Sequence, residues 1–364
     1  MTGRMGLVRL FLALVVAADH WRIVMLRPQS IELDDWYKLG FNAGYAVLFF
    51  YIVSGFLITY TLGRNYSRDL SGTLAFYRNR GIRIYSLYWP MVIVTFLVLP
   101  VSWMHFMNAN PWDQLTGIVL FGQDWRLAFA SYPQTHPQAT ITGLQQAWTL
   151  GAELTFYVIA PFLMRSWKIA AVLLVISFGT RAAFVATLGT TLNEVWLYHF
   201  IATTYGFFML GHLVCLAGQR WKPLAQPALG WLLLACSAAS MMYAGPNGPF
   251  DGLRLWGAAL FFTLALPGLF ESTRNIRWMN TIGDLSYPVY LVHLLLILLI
   301  GESLFRVTFP TEWLPLVPAA HVSIASFLAV SIVAAAAVHW FLEKPVAAAL
   351  QYLSGGRPKL RPAQ

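Results

Sequence analysis

The chain has 364 residues, of which 58% are hydrophobic and only 11% charged, with a mean hydropathy of +0.60. Soluble domains carry about 25% charged residues, so a soluble globular enzyme is excluded. The formal net charge is +9, but no basic stripe with interleaved aromatics lies on a soluble segment, so nucleic acid is not an expected partner.

The apolar residues fall into runs of about 20, the length that crosses a bilayer as a helix. Ten are read, at roughly 6–26, 42–62, 85–104, 143–164, 169–188, 195–217, 224–243, 253–270, 285–304 and 319–342. They are apolar on most faces without strict alternation, which predicts helices rather than a β-barrel. The expected fold class is therefore all-α, a polytopic membrane bundle of about ten transmembrane helices. A cleaved signal peptide is the competing reading of Leu7–Ala18. Against it, Arg9 interrupts the short apolar stretch, and apolar character resumes at Ile23–Leu26.

With both termini cytoplasmic, the inside segments hold 16 of the 24 Lys and Arg, the outside segments 4, and 4 lie within or at the edge of spans. That asymmetry satisfies the positive-inside rule. Much of the net charge is this topology signal, plus attraction to anionic membrane lipid.

Arg9 and His20 lie in the first span, eleven residues apart. On a helix that is roughly three turns, so both share a face, about 16 Å apart. A cation and an imidazole on one stripe of a membrane helix point to function. The alternatives are a snorkelling interface anchor for Arg9 and a satisfied interfacial residue for His20. A histidine exchanges protons near neutral pH and is a natural general base for a hydroxyl. Asp19 stands beside it.

The second span carries FFYIVSGF, with Ser54 and Gly55 deep inside. A glycine there allows close helix packing or close approach of a ligand. The segment RNYSRDLSGTLAFYRNRGIR, Arg64 to Arg83, follows on the cytoplasmic side, with five arginines and one aspartate. It reads either as a surface amphipathic helix or as a clamp for a phosphate-bearing cytosolic ligand. Arg78, Arg80 and Arg83 are its candidate ligands, with Tyr85 opening the aromatic start of the next span. The segment 105–142 is rich in Trp, Gln, Asn and His, suited to sugar binding or to an interfacial aromatic belt.

The fourth span carries WTLGAELTFY and places Glu153 near mid-membrane, where a glutamate must be paired or protonated. The ninth span opens with GDLSYPVYLVH, which puts Ser286, Tyr287, Tyr290 and His293 on its inner half, with Pro288 in the first turn. His199, His212, His321 and His339 read as structural. Cys215 and Cys236 read as small buried hydrophobes. No hydrolase elbow, phosphate loop or zinc-protease motif occurs, the histidines lack metal-ligand spacing, and no metal is expected. The His-x4-Asp pattern of glycerolipid acyltransferases is missing too.

Six blocks then stand in order: Arg9-x10-His20, FFYIVSGFLI, FYRNRGIRIYSLYW, WTLGAELTFY, SYPVYLVH and FLEKP. Together they resemble the acyltransferase-3 family of integral membrane enzymes, which modify bacterial surface polysaccharides, nodulation factors and macrolides. The resemblance covers about residues 7 to 346, making 1–346 one membrane domain and 347–364 a basic cytoplasmic tail expected to be disordered at its end. It implies a multi-pass protein of the bacterial inner membrane that moves an acyl group, usually acetyl, from cytosolic acyl-CoA to a hydroxyl of a carbohydrate acceptor. On this resemblance His20 is the catalytic histidine and Arg9 its motif partner. Arg78, Arg80 and Arg83 match the basic block, Ser54 and Gly55 the second block, and Glu153 the first acid of the fourth. Ser86 stands where the family usually has proline, and Leu154 replaces a common second acid.

Acetyl-CoA is thus the expected donor, reaching along the Arg9–His20 stripe through a polar channel lined by Ser54, Glu153, Tyr287 and His293. Asp19 or Glu153 would orient the imidazole or offset its positive charge. Two readings compete: a different acyl group such as succinyl on the same scaffold, and a transporter or flippase of a sugar-lipid or small solute. Oligomeric state is not legible.

Overall fold

The computed structural model describes residues 5–29, 42–130, 142–164, 166–242, 252–308 and 316–355. Among them every regular element is helical. Helix α1 (Gly6–Trp21) continues through a π turn at Arg22–Leu26. Next come α2 (Ala43–Asn65) and α3 (Leu70–Val98). Three short helices follow: α4 (Pro100–Asn108), α5 (Pro111–Val119) and α6 (Gln123–Ala130). The next helices are α7 (Trp148–Leu163), α8 (Trp167–Glu194), α9 (Ile201–Arg220), α10 (Pro227–Met241) and α11 (Leu253–Thr273). The chain ends in α12 (Arg277–Gly283), α13 (Ser286–Thr308), α14 (Leu316–Val338), a π turn at His339–Glu343 and α15 (Lys344–Leu353).

The molecule is a helical membrane bundle. Among the described residues, 7 helical segments are long and apolar enough to cross a membrane. The ten runs read from sequence all coincide with helices, but α1, α7 and α10 are shorter, at 16, 16 and 15 residues. At 1.5 Å per residue a 15-residue helix spans about 22 Å, less than the apolar thickness of a bilayer.

The third span differs from expectation in where it starts. Asp69 caps it, accepting from the Gly72 amide at 2.8 Å, a preferred N-cap arrangement. Bonds from Ser67, Gly72 and Ser71 hold the Asp69 carboxyl below the usual carboxylate range. The helix therefore starts before the arginine cluster, and Arg78, Arg80 and Arg83 sit on α3 itself. Towards the C-terminus, α15 packs on α3 and carries regular helix to Leu353.

In lipid, helices gain little from hydrophobicity against one another and associate through close packing at small residues. Helices α2 and α9 cross at Gly55 and Gly211, where an added Cβ would stand 2.0 Å from the Phe208 carbonyl oxygen and 1.9 Å from that of Ile52. Helices α1 and α12 cross at Gly6 and Gly283, where a Cβ on Gly283 would stand 1.9 Å from the Gly6 Cα. Gly55 thus serves packing, and the crossing holds its neighbour Ser54 in register. Stacked rings fill the centre, Tyr51 on Phe208 at 4.5 Å and Phe156 on Phe208 at 4.2 Å. Trp21 stacks on Phe327 at 4.4 Å and donates to Ser323 Oγ at 3.2 Å, tying α1 to α14.

Asp124 on α6 is fully buried. The Thr155 hydroxyl reaches its Oδ1 at 3.4 Å, and its Oδ2 has no partner among the described residues. Burial pushes this carboxyl up to about 6.

Two stability predictions follow from these contacts. Gly55→Ala must move backbone, and overpacking of this kind costs about 1–3 kcal/mol; Gly179, whose Cβ would meet nothing within 4 Å, is the control. Fluorescence-detected size exclusion after heating should show a lowered midpoint for Gly55→Ala and none for Gly179→Ala. For Asp124, a raised folded-state pKa means the folded chain binds the proton more tightly than the unfolded one. Its contribution to stability falls as pH rises from about 4 to about 6 and stays low above. Asp124→Asn should therefore raise the melting temperature at pH 8, by a margin that shrinks towards pH 5.

Candidate active site

A cavity of about 320 Å³ lies between α1, α2, α3, α7 and α13. Its lining on α2 runs from Val47 to Asn65, about 27 Å at helical rise. One end is bounded by Asn65, Tyr66, Asn79 and Gln351, the other by Val47, Tyr51, Thr149 and Tyr290. Arg9, Arg80 and Arg83 face it together with Ser54, Glu153 and Tyr287.

Helical geometry explains which arginines arrive. Arg80 and Arg83 are three residues apart on α3 and share a face. Arg78, two residues before Arg80, points elsewhere, is exposed, and bonds the Ser354 carbonyl at 3.3 Å. Arg80 lies 5.5 Å over the Phe76 ring and 5.7 Å over that of Tyr157. Arg83 is 3.4 Å from Glu343 and 5.5 Å over the Tyr287 ring. Glu343 is held in turn by His339 Nδ1 at 2.6 Å, across the π turn before α15. The Tyr287 hydroxyl donates to the Ile84 carbonyl at 2.7 Å.

Glu153 accepts from the Ser54 hydroxyl at 3.0 Å and from the Tyr157 hydroxyl. Arg9 is half-buried, and the charges acting on it include Arg83, Asp284 and Glu153. The membrane carboxylate therefore sits among hydroxyls and arginines, as an acid within a span requires.

His20 is half-buried and does not line the cavity. Its Nδ1 stands 2.8 Å from His293 Nε2, and the two rings are 7° from parallel. His293 is fully buried, and its Nδ1 lies 3.2 Å from the Val289 carbonyl oxygen. Its ring is 5.9 Å from that of Tyr290, which does line the cavity. The Tyr290 hydroxyl is fixed by Thr149 at 2.7 Å and the Gln146 carbonyl at 2.8 Å. The histidine pair thus stands one aromatic layer beyond the cavity's inner end.

Several sequence expectations need correction. His293 contacts His20 rather than lining the channel. Asp19 does not orient the imidazole; its oxygens take Arg22 Nε and Nη2, at 3.0 and 2.8 Å, and the Ala43 amide at 2.9 Å. Its role is to pin the start of α2 to α1. Glu153 serves the cavity instead of His20. Tyr85 turns away, donating to the Val119 carbonyl and stacking on Trp89 at 4.5 Å. Tyr51, Thr149, Tyr157 and Tyr290 line the cavity without having been singled out as ligands. Tyr157 could have been found, since it follows Glu153 by one helical turn. Among the described residues no group of His, Cys, Asp and Glu could hold a metal ion.

A family model described as an acyltransferase domain matches residues 3–338. The chain belongs to the acyltransferase-3 family. It is therefore a membrane acyltransferase. It is 26% identical over 318 residues to nodulation protein 10 of Rhizobium leguminosarum bv. viciae, covering 79% of this chain and 81% of that one. It is 26% identical over 334 residues to acyltransferase MdmB of Streptomyces mycarofaciens, covering 82% and 80%. A shorter match, 27% over 173 residues, covering 44% of this chain and 51% of that one, is to the exopolysaccharide production protein ExoZ of Rhizobium meliloti. No solved structure matches the chain.

If the Ser54 and Tyr157 hydroxyls are what make the Glu153 charge tolerable, removing one should tell. Tyr157→Phe should lower the thermal midpoint, and the double variant Tyr157→Phe/Glu153→Gln should recover most of the loss, since no buried charge is then left under-bonded.

Proposed function

We propose that this enzyme transfers an acetyl group from cytosolic acetyl-CoA to a hydroxyl of a carbohydrate or glycoconjugate on the far side of a bacterial inner membrane. The observation that carries the reading is the arginine-bearing cavity that runs along α2 and ends at Tyr290, whose ring adjoins the His293–His20 pair. Arg80 and Arg83 offer planar, bidentate contacts for the phosphates of CoA. A pantetheine arm of roughly 15–20 Å fits within the ~27 Å of the cavity along α2 and brings the thioester towards Tyr290. The positive-inside count supports cytoplasmic termini, which would set the arginine end on the side where acyl-CoA is found. The names of the relatives, nodulation and exopolysaccharide production among them, support a carbohydrate acceptor.

In this reading His20 is the general base. The acceptor oxygen attacks the thioester carbonyl as its proton passes to His20. The new C–O bond forms, the C–S bond breaks, and the proton leaves His20 for the CoA thiolate. Arg9 and Glu153, with Ser54 and Tyr157, form the polar wall along which the donor lies.

Purified protein in lipid nanodiscs, given acetyl-CoA and a panel of saccharide acceptors, should release CoA in an acceptor-dependent way. His20→Ala should lose this by ~100-fold or more while folding normally. Intact release in that variant would move the base elsewhere. Arg83→Ala should weaken CoA binding by ~10-fold or more, as for loss of a charge-assisted contact. Arg78→Ala, outside the cavity, should stay within about 2-fold; equal losses in both would argue for a diffuse surface attraction rather than a clamp.

A further inference from the structure

The bonds around His293 determine the proton positions of both histidines. The Val289 oxygen is a carbonyl and can only accept. The His293 Nδ1 that faces it at 3.2 Å therefore carries the hydrogen. A bare Nδ1 would set two lone pairs against each other in a buried site. In a neutral imidazole the other nitrogen is then the acceptor. His293 Nε2 is that acceptor, and at 2.8 Å its donor is His20 Nδ1. So His20 holds its proton on Nδ1 and presents a bare lone pair on Nε2.

Resting on the reading of His20 as the base, we propose that His293 is a positioning residue that locks His20 in the Nδ1–H form and aims Nε2 at the acceptor hydroxyl. Free histidine favours the opposite tautomer, with the proton on Nε2, which could not take a proton there. When Nε2 accepts the acceptor proton, His20 is a cation. Its Nδ1–H bond to His293 then becomes charge-assisted and stronger. His293 stays neutral, its own Nδ1–H donating to the Val289 carbonyl throughout. The group in the orienting place of a catalytic histidine is commonly a carboxylate. Here it is a second imidazole, and the neighbouring carboxylate Asp19 is committed to Arg22 and Ala43. A neutral orienter suits this site, because it adds no resting charge to a buried place.

The rest of the environment agrees. His293 is 0% exposed and its helix packs along α1. Tyr290 closes the other side of His293 at 5.9 Å. His293 does not touch the cavity, so its loss should leave donor binding intact.

The test compares His293→Leu with His293→Gln in nanodiscs, each checked for folding by size exclusion. Gln can place an amide oxygen near the former Nε2; Leu cannot accept a hydrogen bond. The Leu variant should lose ~100-fold or more in kcat with KM for acetyl-CoA within about 2-fold, and Gln should restore most of that loss. Nitrogen-15 spectra of histidine-labelled protein, with His20 assigned through His20→Ala, should show a protonated Nδ1 in wild type and Gln. In the Leu variant they should show a shift towards protonated Nε2. An unchanged tautomer in folded His293→Leu overturns the proposal, as does equal activity in both variants. If instead His20→Ala keeps full activity, the base assignment fails, and the spectra still decide the tautomer separately.

Discussion

Ionised groups inside an apolar bundle are tolerated only if every one is given partners, and that constraint shapes this molecule. Arg83 has Glu343 and the Tyr287 ring, and Glu343 has His339. Glu153 has two hydroxyls. Arg22 has Asp19. The pairs recruit residues far apart in the chain, so the polar lining of the cavity also ties α3 to α13 and the π turn before α15, and α7 to α2. The same bonds leave the lining polar, which a hydrated, phosphate-bearing ligand needs and a lipid-facing surface could not offer.

The close glycine crossings serve the same end. Helices that meet backbone to backbone at Gly55–Gly211 and Gly6–Gly283 cannot slide without collision. Ser54 stands beside the first crossing, and Arg9 one turn from the second. A side chain next to a locked crossing keeps its place, which is what a preorganised site requires. The histidine pair is fixed differently, through a hydrogen bond across α1 and α13 and a carbonyl one turn back on α13.

Much of the architecture was legible in the sequence because hydropathy and length are local properties. Each apolar run falls on helix, but the run 85–104 is broken at Leu99 between α3 and α4, and Asp69 capped α3 earlier than apolar content suggested. Arg9, Ser54 and Glu153, which line the cavity, stood out in the sequence because polar side chains within a span are costly and rarely idle. Arg78 and Tyr85 were grouped with Arg80 and Arg83 because a linear cluster does not reveal which face each residue takes. Counting at 3.6 residues per turn from Arg83 separates Arg78, once the segment is known to be helix. The exchange of roles between Asp19 and His293 was not legible. It depends on a contact between residues 273 positions apart and on an aspartate already used to pin α2.

The central claim is that the donor enters at Arg80 and Arg83 and ends at His20. An experimental structure with a non-transferable thioether analogue of acetyl-CoA tests it most directly. The account predicts phosphates on Arg80 and Arg83, the pantetheine beside Ser54 and Glu153, and the acyl carbon past Tyr290 within about 4 Å of where an oxygen bound to His20 Nε2 would stand. An analogue seated on another face of the bundle, or one whose acyl end points away from α1 and α13, would contradict it.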